Sequence, residues 1–425
     1  MKKTSGIVLL LVLAFSLVPV PAFAGKAELS LKYWHAGVSG ADFRIGEVEE
    51  YKLDPLNGYE SESVGTDTLM LQFGAGRSFI LSGSYSLSPT VSLGVSYWGV
   101  NRASQASFAL DNLGAEFVEE GSDEWGDYIL SWSDRLYLIT PPEALDWLIC
   151  LDLVWDGAYE SNYWQRWYGE DDYYGNNSEA FIALEGNLSM SALDVSGTMT
   201  LTGPGWEMGL SGGIRKAAFN QNRSKGFELL SEAWDRLINE EADYHYYDAD
   251  KHVFSVDSTV NVSAIGPQVG IEGEYALADR LVLKAGAKAG LLFGTAERHT
   301  KLKYDYWEYY WNKDLEEPAE WVLDGDYSLE YLYPSTKDPV RLSTYDLSFG
   351  LAYQISEQWS IEAGYYASIW NGIPSPVLAV YDEPDNGNGI ASILHGSPSI
   401  PIRWEEDGAR TITVGGLTIG LNFKF

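Results

Sequence analysis

From Thr411 to Phe425 the chain alternates with a period of two. One parity reads Thr411, Thr413, Gly415, Leu417, Ile419, Leu421, Phe423 and Phe425. The other reads Ile412, Val414, Gly416, Thr418, Gly420, Asn422 and Lys424. Successive side chains of a strand point to opposite faces, so this stretch is a strand with one apolar face and one face that turns small and polar toward its end. The sequence stops on that strand, at an aromatic residue.

The same alternation recurs as hairpins. Phe79–Leu87 and Val91–Trp98 flank Ser88-Pro89-Thr90. Leu193–Leu201 and Trp206–Ile214 flank Gly203-Pro204-Gly205. Val269–Leu277 and Leu281–Phe293 flank Ala278-Asp279-Arg280, and Tyr345–Ile355 and Trp359–Ile369 flank Ser356-Glu357-Gln358. These turns are short. Long polar stretches separate the hairpins, at 106–178, 220–251, 304–340 and 372–409, with a further one at 37–66. Short turns at one end and long loops at the other are the pattern of a transmembrane up-and-down barrel. A soluble sandwich has no need of such long connections, which are uncommon in compact domains.

Face chemistry points the same way. In Leu281–Phe293 one parity is Leu281, Leu283, Ala285, Ala287, Ala289, Leu291 and Phe293, and the other carries Lys284 and Lys288 among Gly286, Gly290 and Gly294. The preceding strand sets Val269, Ile271, Tyr275 and Leu277 against Gln268, Glu272 and Glu274. Charge that alternates with glycine suits a tight interior. Glu274 and Lys284 fall nearly opposite across the turn and are expected to pair. Tyr97, Trp98, Trp206, Tyr275, Tyr353, Trp359, Tyr365 and Trp370 cluster at strand ends, as interfacial girdles would. Expected strands are 26–36, 67–87, 91–103, 179–201, 206–219, 252–277, 280–303, 341–355, 359–371 and 410–425. The expected fold is therefore all-β, an antiparallel barrel of ten strands, with eight or twelve as alternatives. An even count puts both termini on the periplasmic side. Leu145–Trp155 reads equally as helix or strand. Phe227, Leu230, Trp234, Leu237 and Ile238 follow a helical period, which predicts a short helix over the barrel mouth.

Met1-Lys2-Lys3, the apolar run Ile7–Val20 and Ala22-Phe23-Ala24 read as a secretory signal peptide over 1–24, leaving 25–425 as the barrel. No later segment is long and apolar enough for a membrane helix. The full chain carries 61 acids against 28 bases, a formal charge of −33. Removing 1–24 deletes two lysines and no acid, which takes it to −35. Such a chain has no means of neutralising nucleic-acid phosphates. One cysteine, Cys150, excludes an intrachain disulfide. The acids concentrate in the loops: 106–178 holds sixteen, against Arg135 and Arg166. Carboxylate loops are a solvated surface by default. They would also favour cations at a pore mouth, or hold divalent cations that bridge lipopolysaccharide phosphates.

Ile265-Gly266-Pro267-Gln268-Val269-Gly270-Ile271, Gly290-Leu291-Leu292-Phe293-Gly294, Leu347-Ser348-Phe349-Gly350-Leu351 and Gly364-Tyr365-Tyr366-Ala367-Ser368-Ile369-Trp370-Asn371 resemble the Legionella-type major outer-membrane-protein family of pore-forming barrels. The resemblance covers about half the mature chain, mostly 190–371, and implies an outer-membrane pore of unspecified cargo, with no catalytic residues to carry over. The terminal strand ending at Phe425 resembles the signal read by the barrel-assembly machinery. The functional reading is a porin-like, cation-preferring barrel in the Gram-negative outer membrane, with Glu207, Arg215, Glu272, Glu274, Lys284 and Lys288 as pore-lining candidates. The alternative is a plugged structural or adhesive barrel that displays acidic, aromatic loops. The expected partners are outer-membrane lipids and lipopolysaccharide. His245 with Asp248 and Asp250 is the nearest approach to a metal or His–Asp cluster. No motif joins a nucleophile to an oriented base, so neither an enzyme nor a cofactor is expected.

Overall fold

The computed structural model describes residues 26–54, 60–110, 117–123, 126–132, 135–140, 164–168, 173–239, 242–312, 320–333, 336–381, 402–406 and 408–425. Ten of its strands form the barrel: β1 (Ala27–Ser39), β2 (Gly76–Ser88), β3 (Val91–Leu110), β4 (Tyr173–Gly203), β5 (Trp206–Asn239), β6 (Ala242–Ala278), β7 (Leu281–Asn312), β8 (Thr336–Gln354), β9 (Trp359–Pro374) and β10 (Ala409–Lys424). Each pairs antiparallel with its sequence neighbour. Pairing of β10 with β1, from Glu28↔Lys424 to Ser39↔Thr413, closes the ring. Closure leaves no edge strand to satisfy, the condition for spanning lipid with strands. The four hairpin turns lie where the sequence places them. At that turn end the start of β1 meets the end of β10, with the Phe425 amide donating to the Ala27 carbonyl at 2.8 Å.

The exterior near the turn end is apolar. Phe79, Leu93, Val269, Phe349, Leu417, Ile419 and Leu421 all stand outward and exposed. On β4 and β5 this belt runs over Leu193–Leu201 and Trp206–Ile214, nine residues each. A tilted transmembrane strand needs about 9–11. Outward glycines in the belt are covered by neighbouring tyrosines. A Cβ on Gly415 would lie 2.7 Å from the Tyr365 hydroxyl, and one on Gly99 3.0 Å from that of Tyr97.

Beyond the belt the two faces exchange chemistry. Outward on β5, Leu210 and Ile214 give way to Lys216, Asn220 and Asn222, while the buried inward residues become Ala217 and Phe219. On β6, outward Val269 and Ile265 give way to Ser263 and Asn261, over inward Ala264, Val262 and Val260. β4 does the same, with Leu188, Met190 and Ala192 buried inside. Lipid outside favours an apolar outer face, and water outside favours the reverse. The crossover therefore marks where each strand leaves the membrane. β4 to β7, of 31 to 37 residues, continue well past it as a tall wall.

Several expectations are corrected. The helix expected at Phe227–Ile238 is strand. β5 continues through it, paired with β4 on one side as far as Arg236 and with β6 on the other to Asn239. Backbone pairing on both sides as far as Arg236 outweighs a local helical period. The polar stretch 220–251 is accordingly mostly wall. The second strand begins at Gly76 rather than 67, because Glu60–Leu71 pairs with Phe43–Asp54 in a separate hairpin. Trp98 and Trp370 are not girdle residues. Their parity is opposite to that of Tyr97 and Ile369, and both side chains are buried inside the barrel. Trp206, Tyr275, Tyr353, Trp359 and Tyr365 do face outward. Leu145–Trp155 and the 1–24 segment lie outside the described residues, as do the side chains of His245, Asp248 and Asp250, whose backbones belong to β6.

Candidate functional site: the barrel interior

All six pore-lining candidates lie on inward parities, but in two different settings. Glu207, Glu272, Glu274, Lys284 and Lys288 line an open vestibule at the turn end. Glu207 stands opposite Glu274 in the ladder. Glu274 stands opposite Lys284, and their side chains pair at 2.7 Å as expected. Lys288 stands opposite Asp346. Two further groups complete this layer. Lys32 of β1 pairs with Glu362 of β9, whose other oxygen accepts from Asn422 at 3.3 Å.

Arg215 belongs to the floor above the vestibule. Its side chain is 1% exposed. Nε and Nη2 donate to the two oxygens of Asp194 at 2.7 and 2.8 Å, a bidentate fork. The same Nη2 reaches across the lumen to Asp346 of β8, and Nη1 donates to Thr344 at 3.2 Å. Ser96 donates to Asp194, and Ser368 donates to Asp346 at 2.6 Å. A buried guanidinium held by two carboxylates balances only if its remaining groups are hydrogen-bonded, and here they are. The outward neighbours of these residues, Ile214, Val195 and Leu347, are exposed apolar side chains of the belt. The latch therefore crosses the lumen at membrane depth.

An aromatic layer sits directly on the latch. Trp370 donates through Nε1 to the Ser368 hydroxyl at 2.8 Å, which joins the two layers in one network. Trp34 meets Trp98 and Tyr366 edge-on at 5.6 and 5.0 Å between centroids, and Trp98 meets Trp370 at 5.7 Å. Edge-to-face contacts of this kind add to the burial of large rings. Trp34 and Trp370 are both 0% exposed. Higher still, Leu71 and Phe73 from the β1–β2 connection enter the mouth against Gly186. A Cβ on Gly186 would approach the Phe73 ring to 2.9 Å. The Phe73 amide is held by Asp42, and the carbonyl of buried Ala41 by Gln221 at 3.1 Å. At membrane depth the described interior is filled by the latch and the aromatic layer.

Sequence reasoning misses the latch partners, the Lys32–Glu362 pair and the inward aromatics. Asp194 is within its reach. Asp194 precedes Gly203 by nine residues and Arg215 follows Trp206 by nine, so a two-residue turn sets them opposite each other. Asp346 lies across the barrel, and no local spacing reveals it. For the expected divalent-cation sites, the described residues contain no group of three or more His, Cys, Asp or Glu placed to hold a metal.

No family profile matches the chain, and no curated protein does. Among solved structures, the outer-membrane protease OmpT from Escherichia coli is 12% identical, over 94% of this chain and 97% of that one, with a TM-score of 0.35. A FadL homologue from Pseudomonas aeruginosa is 11% identical over 94% and 90%, with a TM-score of 0.19. The toluene transporter TodX from Pseudomonas putida is 8% identical over 96% and 90%, with a TM-score of 0.19.

Proposed function

We propose that this chain is a closed outer-membrane barrel that serves as a rigid platform, displaying an acidic, aromatic-rich wall and loops on the cell surface. The observation that carries this reading is the fill of the interior. An ion-pair latch and a layer of three tryptophans and a tyrosine occupy the lumen at membrane depth, where a diffusion pore needs a continuous water path. The belt contacts outer-membrane lipid, the terminal strand ending at Phe425 addresses the assembly machinery, and both termini face the periplasm. Strand motifs that resemble the Legionella-type family fit one more outer-membrane barrel, with the filled lumen as its departure from a pore.

A second reading has one observation in its favour. Glu207, Glu272, Glu274, Lys284 and Lys288 line a vestibule that reaches the latch from the turn end. That would suit a cation-preferring pore gated at Arg215.

Display requires the wall to face outward. An epitope inserted at the β5–β6 tip, between Asn239 and Ala242, is expected to stain on intact cells. The same epitope at Pro204 is expected to stain only after the outer membrane is permeabilised. The reverse pattern would contradict the proposed orientation and with it the display role.

A further inference from the structure

Charge inside the barrel is sorted by height. On the barrel strands at and below the latch, the described inward charges are mixed, with Glu207, Glu272, Glu274 and Glu362 standing among Lys32, Lys284 and Lys288. Above the latch the described inward charges of the barrel strands are Arg102, Arg223, Lys225, Arg298 and Arg410, against the carboxylate of Asp338, with Asp42 of the β1–β2 connection nearby at the mouth. A chain with 61 acids and 28 bases has thus collected cations at one height of its interior.

The ladder brings these cations to nearly one level. Arg102, Leu188, Gln221, Val260 and Arg298 are successive partners from β3 to β7 and form one row around the wall. Arg223 and Lys225 are the next two inward positions of β5 above Gln221. Arg410 reaches the same row by donating to the Gln221 side chain, to which Arg223 also donates at 3.3 Å. Arg298 pairs with Asp338 at 2.6 Å. The Arg102 guanidinium is taken up by the carbonyls of Ala36, Gly76, Arg77 and Asn101. Lys225 is different. It is 4% exposed, and its Nζ has no hydrogen-bond partner among the described residues. Its ladder neighbours are Leu184 and Val256, both apolar. An ammonium buried without a partner is left desolvated and uncompensated, so this position calls for an anion.

We propose that this cationic cluster is a recessed anion site, centred on Arg223 and Lys225 and ringed by Arg298 and Arg410, that takes a phosphate-class oxyanion from the loop side. Rings of Arg and Lys select phosphate and other anions in barrel lumens, and guanidinium forks match phosphate oxygens. The acidic exterior disfavours anions in general, so a ligand of this kind has to be small and multivalent to gain more inside than it loses on entry.

The test uses the full-length protein folded in detergent micelles at low ionic strength, with inorganic pyrophosphate in one arm and vesicles containing phosphorylated lipopolysaccharide in the other. Saturable binding with a rise in unfolding temperature is expected in at least one arm. The pyrophosphate arm identifies a free solute, and the vesicle arm alone a lipid headgroup. Lys225→Met keeps the shape of the side chain among apolar neighbours, so the variant folds; Lys225→Met with Arg223→Met is expected to weaken binding at least tenfold and to abolish the temperature rise. No binding in either arm, or variants that bind as the parent does, would overturn the assignment.

Discussion

Replacing Arg215 by methionine is expected to lower the unfolding free energy by about 3–5 kcal/mol, the range for removing one partner of a buried ion pair. The guanidinium serves Asp194 bidentately and Asp346 across the lumen. Without it, two carboxylates remain in a water-poor interior with the Ser96, Ser368 and Tyr366 hydroxyls as donors. Urea unfolding of the protein refolded into lipid vesicles measures the loss. Adding Asp194→Asn and Asp346→Asn to the Arg215→Met variant is expected to recover most of it, because the stranded charges then disappear. A loss below about 1 kcal/mol, the level of an exposed pair, would show that the latch is not buried as described.

The second large effect is at the closing seam. Gly416 of β10 faces inward between Ala36 of β1 and Tyr366 of β9. A Cβ at this position would overlap the carbonyl of His35, which is backbone and has no room to yield. Gly416→Val is therefore expected to prevent β10 from pairing with β1. The variant should run at its unfolded position on a gel without prior heating, where the parent shows the heat-modifiable shift of a closed barrel. A normal shift in the variant would mean that the seam tolerates a wider separation than its register implies.

Much of the barrel is legible in the sequence because lipid imposes a strict rule on strands. In β7 every outward residue from Leu281 to Phe293 is apolar, so parity alone assigns lumen and membrane, and the short turns fix register closely enough to pair Glu274 with Lys284. The same rule, applied over too long a stretch, hides the nature of the upper wall. Beyond Ile214 and Ile265 the outer medium is water, and apolar parity passes to the inside. Trp98 and Trp370, near that crossover, look like lipid-facing girdle residues from their spacing, yet they fill the lumen. Phe227–Ile238 looks helical because the partners that hold it extended are supplied by β4 and β6, which a local window does not contain. Arg215 is correctly placed as inward by parity. Its role as a floor depends on Asp346 and Trp370, which only barrel closure brings to it.

Closure of the lumen at membrane depth is tested most directly by single-channel recording in planar bilayers, with the folded protein added at low concentration under a salt gradient. The latch and the aromatic layer predict no discrete conductance over many verified insertions. Stepwise openings with a reversal potential displaced toward that of cations would contradict the closed lumen, and would return the charged vestibule of Glu207, Glu272, Glu274, Lys284 and Lys288 to the role of a pore.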